Sequence, residues 1–325
     1  MESNYLQKNN RILNDYFRSG AVLVRGILQL LALGAGIGFC LAMNAQTPRI
    51  ISIINKEYGT NVPVNSVLTS AIPSIITTAI PMVLIAVAYF IIFGKSRSSK
   101  PNARSDAGFI ILNVFAIIEL VCVIIASVAV VAGSVFIFLR KPKDLSANSS
   151  RVLTASLIGT VVMCVIALII AIIYKAYIGS VRKTAKTAEL CNTGAKAFGV
   201  FSVLSAISSA FGVLGTLGLF VLRSRVVDLL RNAALTDIPE ELSSIFVDGS
   251  MWLFLCLFLS ALITFITHIV DAKIALGYNR HIKEARLNGG AGDVNDPPMN
   301  DGFYGGDVQP RKKKRSGYGD RFIED

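Results

Sequence analysis

Apolar residues in this chain run in long unbroken blocks, without the two-residue alternation of a half-buried strand or the three-to-four-residue spacing of a surface helix. Six blocks have roughly the 20 residues that, at about 1.5 Å of rise per residue, cross about 30 Å of hydrocarbon. They are Val22 to Met43, Leu68 to Phe93, Phe109 to Leu139, Leu153 to Tyr174, Phe198 to Leu222 and Met251 to Ala275. Lipid offers nothing to an unpaired backbone amide, and the blocks are far longer than the ten-residue alternating segments of a membrane barrel. The pattern therefore predicts an all-α membrane protein, a polytopic bundle of six transmembrane helices. The third block is the longest and is expected to tilt, bend near Gly133 or project beyond the bilayer.

The polar segments divide the chain into three parts. Residues 1–21 place Leu6, Leu13 and Phe17 on one helical face, with Tyr5, Ile12 and Tyr16 beside it and Lys8, Arg11 and Arg18 elsewhere, which predicts an amphipathic helix on the inner membrane surface. Cys40 and Ala42 have the small size of a signal-peptide cleavage site, but the long amphipathic stretch before the first block favours its retention as a true helix. Residues 22–276 carry the six spans. From 277 to 325 the glycines and the Pro297–Pro298 pair leave no apolar periodicity to bury, so this tail is expected to be disordered from about Asn288 onward, with a basic run of Arg311, Lys312, Lys313, Lys314 and Arg315. Such a run is either a solvated tail or a contact for anionic headgroups or an acidic partner.

Two shorter features lie between spans. Thr47 before Pro48 has the form of a helix cap and first turn, which predicts a separate interfacial helix up to Gly59. Asp237, three residues before Glu240, resembles a capping box in the largest outer loop.

Charge sets the expected orientation. With both ends of the chain on the cytoplasmic side and the tail counted only as far as Arg286, the inner segments hold 15 Lys and Arg against 9 on the outer loops, the bias of an N-in, C-in plasma or inner membrane protein. The net charge of +11 then reflects loop topology and attraction to anionic lipid rather than nucleic acid. A weak internal similarity at an offset of 85 residues pairs Leu68 with Leu153, Thr69 with Thr154, Tyr89 with Tyr174 and Gly94 with Gly179. Gly277 follows the last span in the same way, so three helical hairpins are expected.

Chemistry-bearing residues are few. Glu119 lies ten residues into the third block, where an ionised side chain costs at least about 2.5 kcal/mol, so it is either an ion or proton site or a hydrogen-bonded bundle contact. Arg25 and Gln29, four apart on one face of the first span, either sit near the inner edge with Arg25 snorkelling or pair with Glu119. His268 and Asp271, with Lys273 close by, have the placement of interfacial anchors. Small faces for helix packing are expected at Gly26, Gly34 and Gly38 on the first span and at Ser205, Ser209 and Gly212 on the fifth. Pro73 and Pro81 should kink the second span and offer a candidate gate. With two histidines, five scattered cysteines and no nucleophile-elbow or Walker motif, the sequence argues for no metal, no cofactor and no catalysis. The expected function is a non-catalytic membrane component acting through a partner or homo-oligomer. The alternative is a small transporter or channel using Glu119.

Overall fold

The computed structural model describes residues 2–59, 61, 63–98, 106–139, 147–187, 189–222, 225 and 251–287. The capping-box loop, the basic run at 311–315 and the rest of the tail lie outside these residues. Among those described there are seven helices: α1 (Glu2–Phe17), α2 (Gly20–Tyr58), α3 (Val64–Ser96), α4 (Asp106–Leu139), α5 (Ala147–Lys186), α6 (Ala195–Val221) and α7 (Met251–Leu287). The last six each contain a stretch long and apolar enough to cross a membrane. The chain is a multi-pass integral membrane protein in a lipid environment, as the blocks in its sequence predict.

Each helix from α2 to α6 packs against the next, and α7 packs against both α6 and α2, closing the six into a ring. Contact is more extensive within the hairpins α2–α3, α4–α5 and α6–α7 than at the α3–α4 and α5–α6 junctions. One end of the ring carries α1, which touches α3, α5 and α7, the helices that finish there. Amphipathic α1 therefore turns its apolar face to protein and not to a lipid surface. Leu13 and Phe17 are buried, in one core with Val22, Ile92, Phe109 and Tyr278. The main core lies at this α1 end. Toward the other end large apolar side chains are exposed, including Val128, Met163, Phe211 and Leu214.

Several helices run past the boundaries that sequence pattern suggests. No break separates the first span from the segment after Pro48: α2 continues as one helix to Tyr58, about 58 Å at the usual rise. Thr47 does not cap a new helix, because its hydroxyl donates back to the Met43 carbonyl at 2.8 Å. The helix stops at Gly59, whose φ of 61° is readily adopted by glycine alone. Helix α3 likewise continues through Pro73 and Pro81, and α4 through Gly133.

Close backbone approach fixes two of the helix pairs. A Cβ on Gly108 would lie 2.5 Å from Ile92 Cγ1 and 2.7 Å from the Ala88 carbonyl, locking α4 to α3. On Gly199 it would meet Leu276 Cγ at 2.5 Å and the Leu276 nitrogen at 3.2 Å, locking α6 to α7. The six small residues picked out by spacing divide differently. A Cβ on Gly26 would be 2.7 Å from the Phe90 ring and one on Gly38 3.4 Å from Cys256 Sγ, whereas Gly34 and Gly212 have nothing described within 4 Å. Ser205 and Ser209 are half-buried, and the buried small residues of α6 are Ala195, Gly199, Ser202 and Ala206.

Gly108→Ala is expected to destabilise the bundle by about 1–3 kcal/mol, because the Ala88 carbonyl belongs to a helix backbone that cannot yield cheaply. Gly34→Ala, in open space, should be neutral or stabilising by up to about 1 kcal/mol. Thermal unfolding in detergent separates the two, and equal midpoints would contradict the tight α3–α4 contact.

Candidate functional site

A polar layer lies inside the ring close to the α1 end. Arg25, on the second turn of α2, is buried except for 14% of its side chain. Its Nε donates to Asp271 Oδ1 of α7 at 2.7 Å and its Nη1 donates to Gln29 Oε1 at 2.6 Å. The guanidinium carbon also stands 5.3 Å from the Tyr89 ring centroid on α3. Tyr174 of α5 lies within electrostatic range of both Tyr89 and Arg25. Four helices thus meet in one layer, and its ion pair joins the first span to the last. That pair sits where the ring closes.

This arrangement differs from the sequence expectation for Arg25. The side chain does not snorkel, and the carboxylate it meets is Asp271 instead of Glu119. Helices α2 and α7 are antiparallel, so Arg25, three residues past Val22, and Asp271, four before Ala275, reach the same depth. Matching depth from the inner edge was the available signal, and the assignment of Asp271 to an anchoring role with His268 concealed it. His268 is half-buried one turn away, within electrostatic range of both Asp271 and Arg25.

Glu119 stands apart from the pair. On α4 the buried stripe runs through Phe109, Leu112 and Ala116. Seven residues past Leu112, Glu119 lies within about 20° of that buried face, yet it is exposed because the helices stand farther apart at its depth. It has no hydrogen bond or ion pair among the described residues, although its charge reaches the Tyr89 and Tyr174 hydroxyls.

Below the polar layer the bundle is shut. A cavity of about 20 Å³, lined by Tyr89, Leu112, Tyr177 and Asp271 among others, has room for about one water and none for a hydrated ion. Aromatic rings seal it toward α1: Phe17 lies 5.0 Å from Phe109 and 5.9 Å from Tyr278 between centroids, and Tyr177 stacks on Phe198 at 5.4 Å.

Side-chain bonds to backbone carbonyls hold this seal in place. Tyr16 donates its hydroxyl to the Ile274 carbonyl, and burial raises that phenol above its ordinary range, so it remains a neutral donor. The α5–α6 connection is fastened by Tyr278, which donates to the Cys191 carbonyl at 2.6 Å, and by Thr184, whose Oγ1 accepts from the Cys191 amide at 2.8 Å. Arg286 donates to the Leu190 carbonyl, Asn192 to Asn279 at 2.8 Å, and Asn9 of α1 to the Thr187 carbonyl at 2.8 Å. On the surface of the same connection, the Lys183 ammonium 2.7 Å away holds the Glu189 carboxyl below its usual range. Sequence reasoning passed over this network, because Thr, Tyr and Asn in a short loop carry no spacing signature.

Among the described residues no three His, Cys, Asp or Glu side chains converge as a metal site. The five cysteines are free thiols. Pro81 lies at the middle of α3. No family model matches the chain, and no characterised protein or solved structure is significantly similar to it.

Asp271→Asn should cost about 3 kcal/mol, since it leaves the Arg25 charge buried without its counter-ion. Combining it with Arg25→Met should recover much of that loss. A double-mutant cycle from unfolding in detergent measures the coupling; additive single effects would show that the pair does not hold α2 to α7.

Proposed function

We propose that this protein is a non-catalytic component of a plasma or inner membrane that acts by lateral contact with partner membrane proteins or with further copies of itself. The observation that carries this reading is the uneven packing of the bundle. The α1 end is sealed by aromatic rings and an internally neutralised ion pair, while farther along α4–α7 the helices separate and leave side-facing grooves. One groove of about 390 Å³ lies between α4 and α5, lined by Ser127, Val131 and Ala132 on one helix and Val161, Cys164 and Leu168 on the other. Small and apolar side chains of this kind permit close helix approach, and in lipid van der Waals packing is a principal gain from association. The absence of catalysis rests on the sequence, with its two histidines and no nucleophile motif. The distribution of Lys and Arg supports the α1 end, with both ends of the chain, as the cytoplasmic side.

A second reading, a transporter or channel, draws on Glu119: an exposed intramembrane carboxylate within electrostatic range of the axial tyrosines is the kind of group that binds an ion or proton. In this reading the closed layer at Arg25 and Asp271 is the barrier that has to open.

Assembly predicts that a variant keeping Cys164 as its sole cysteine gives higher-mass bands with a bifunctional thiol reagent in native membranes. Val131→Trp, which fills the groove, should weaken them. Bands unaffected by Val131→Trp, or none at all, count against the α4–α5 face. In reconstituted vesicles, an ion or proton flux abolished by Glu119→Gln in a folded protein would install the second reading in place of the first.

A further inference from the structure

The side of the α6–α7 hairpin carries a second apolar groove, of about 470 Å³. Val203, Ile207 and Phe211 line it from α6, and Phe265, Ile269 and Ala272 from α7. The tight contact of Gly199 with Leu276 closes it at the α1 end. Farther along, Phe211 and Leu214 are exposed by 71% and 64%, so the groove faces outward into the lipid.

Two lysines stand at its closed end. Lys196 is seven residues before Val203, which brings it to within about 20° of the same face of α6. Lys273 adjoins Ala272 and is rotated about 40° from Ile269, on the outer lip of α7. Both are exposed. Neither ammonium has a hydrogen bond or ion pair among the described residues, and the nearby Asp271 is engaged by Arg25. A Lys stem can lie along apolar surface with its charge at the headgroup level.

We infer that this groove binds one anionic phospholipid, with its acyl chain along α6 and α7 and its phosphate between Lys196 and Lys273. Groove and lipid are complementary: a wholly apolar channel of side chains ends in two uncompensated positive charges, and a phospholipid of the leaflet at the α1 end has the same order of parts. A transmembrane helix from a partner would fill the apolar portion but leave the two ammonium groups without a counter-charge. This site is separate from the α4–α5 groove.

The test uses the full-length protein in detergent, with phosphatidylglycerol and phosphatidylcholine of matched chains, read by native mass spectrometry. The wild type should retain phosphatidylglycerol in preference. In Lys196→Gln/Lys273→Gln the ratio of the two affinities should fall roughly thirtyfold. Ala210→Trp, which places a ring in the groove, should lose both lipids. Both lysines are on the surface, so the double variant is expected to fold, and its unfolding midpoint checks this. An unchanged preference in the lysine variant overturns the proposal, as does undiminished binding by Ala210→Trp. Competition by glycerol phosphate as strong as by the intact lipid overturns it as well, since the acyl chain would then contribute nothing.

Discussion

Hydrocarbon supplies no hydrogen-bond partners, and most of this molecule follows from that constraint. A backbone crossing it has to satisfy its own amides and carbonyls, so each long apolar block becomes a helix whatever its residues prefer in water. The same constraint explains why Pro48, Pro73 and Pro81 do not end their helices. Stopping a helix in lipid would free several polar groups, whereas a proline inside it removes only one donor.

In such a medium burying apolar surface gives little, and specific contacts decide how the helices arrange themselves. Two kinds are present. At Gly108 and Gly199 the absence of a side chain lets helices approach to van der Waals contact. At Arg25 a single guanidinium joins α2 to α7 and touches α3, so the ring is closed by a charge pair where the first and last spans meet. Such a pair costs much to bury, and its value lies in specifying which helices are neighbours, since either charge alone in lipid costs more. Aromatic residues and α1 then complete the seal at that end. The looser half of the bundle, with its side-facing grooves, is where contact with lipid or another protein is sterically open.

Much of the fold was legible in the sequence because hydropathy over twenty residues is a one-dimensional property. The number of spans, their helical form and the amphipathic character of α1 all follow from counting along the chain. Individual contacts were less accessible. Leucine-rich helices offer many faces of similar greasiness, so spacing alone chose Gly34 and Gly212, which meet nothing described, and passed over Gly108 and Gly199. Glu119 was conspicuous as an acid among Ile, Leu and Val, and that prominence drew Arg25 toward it. Asp271, less conspicuous because it lies near a span end beside His268 and Lys273, is the residue that Arg25 meets.

By itself, the sequence determined the class of this protein: a chain with so much uninterrupted apolar length has only one way to hide its backbone polarity in a membrane. The tertiary structure alone decided which charges neutralise each other, which glycines permit close approach and where the grooves open. Those outcomes depend on rotations and depths of helices relative to one another, and a linear pattern of apolar residues is nearly the same for every rotation.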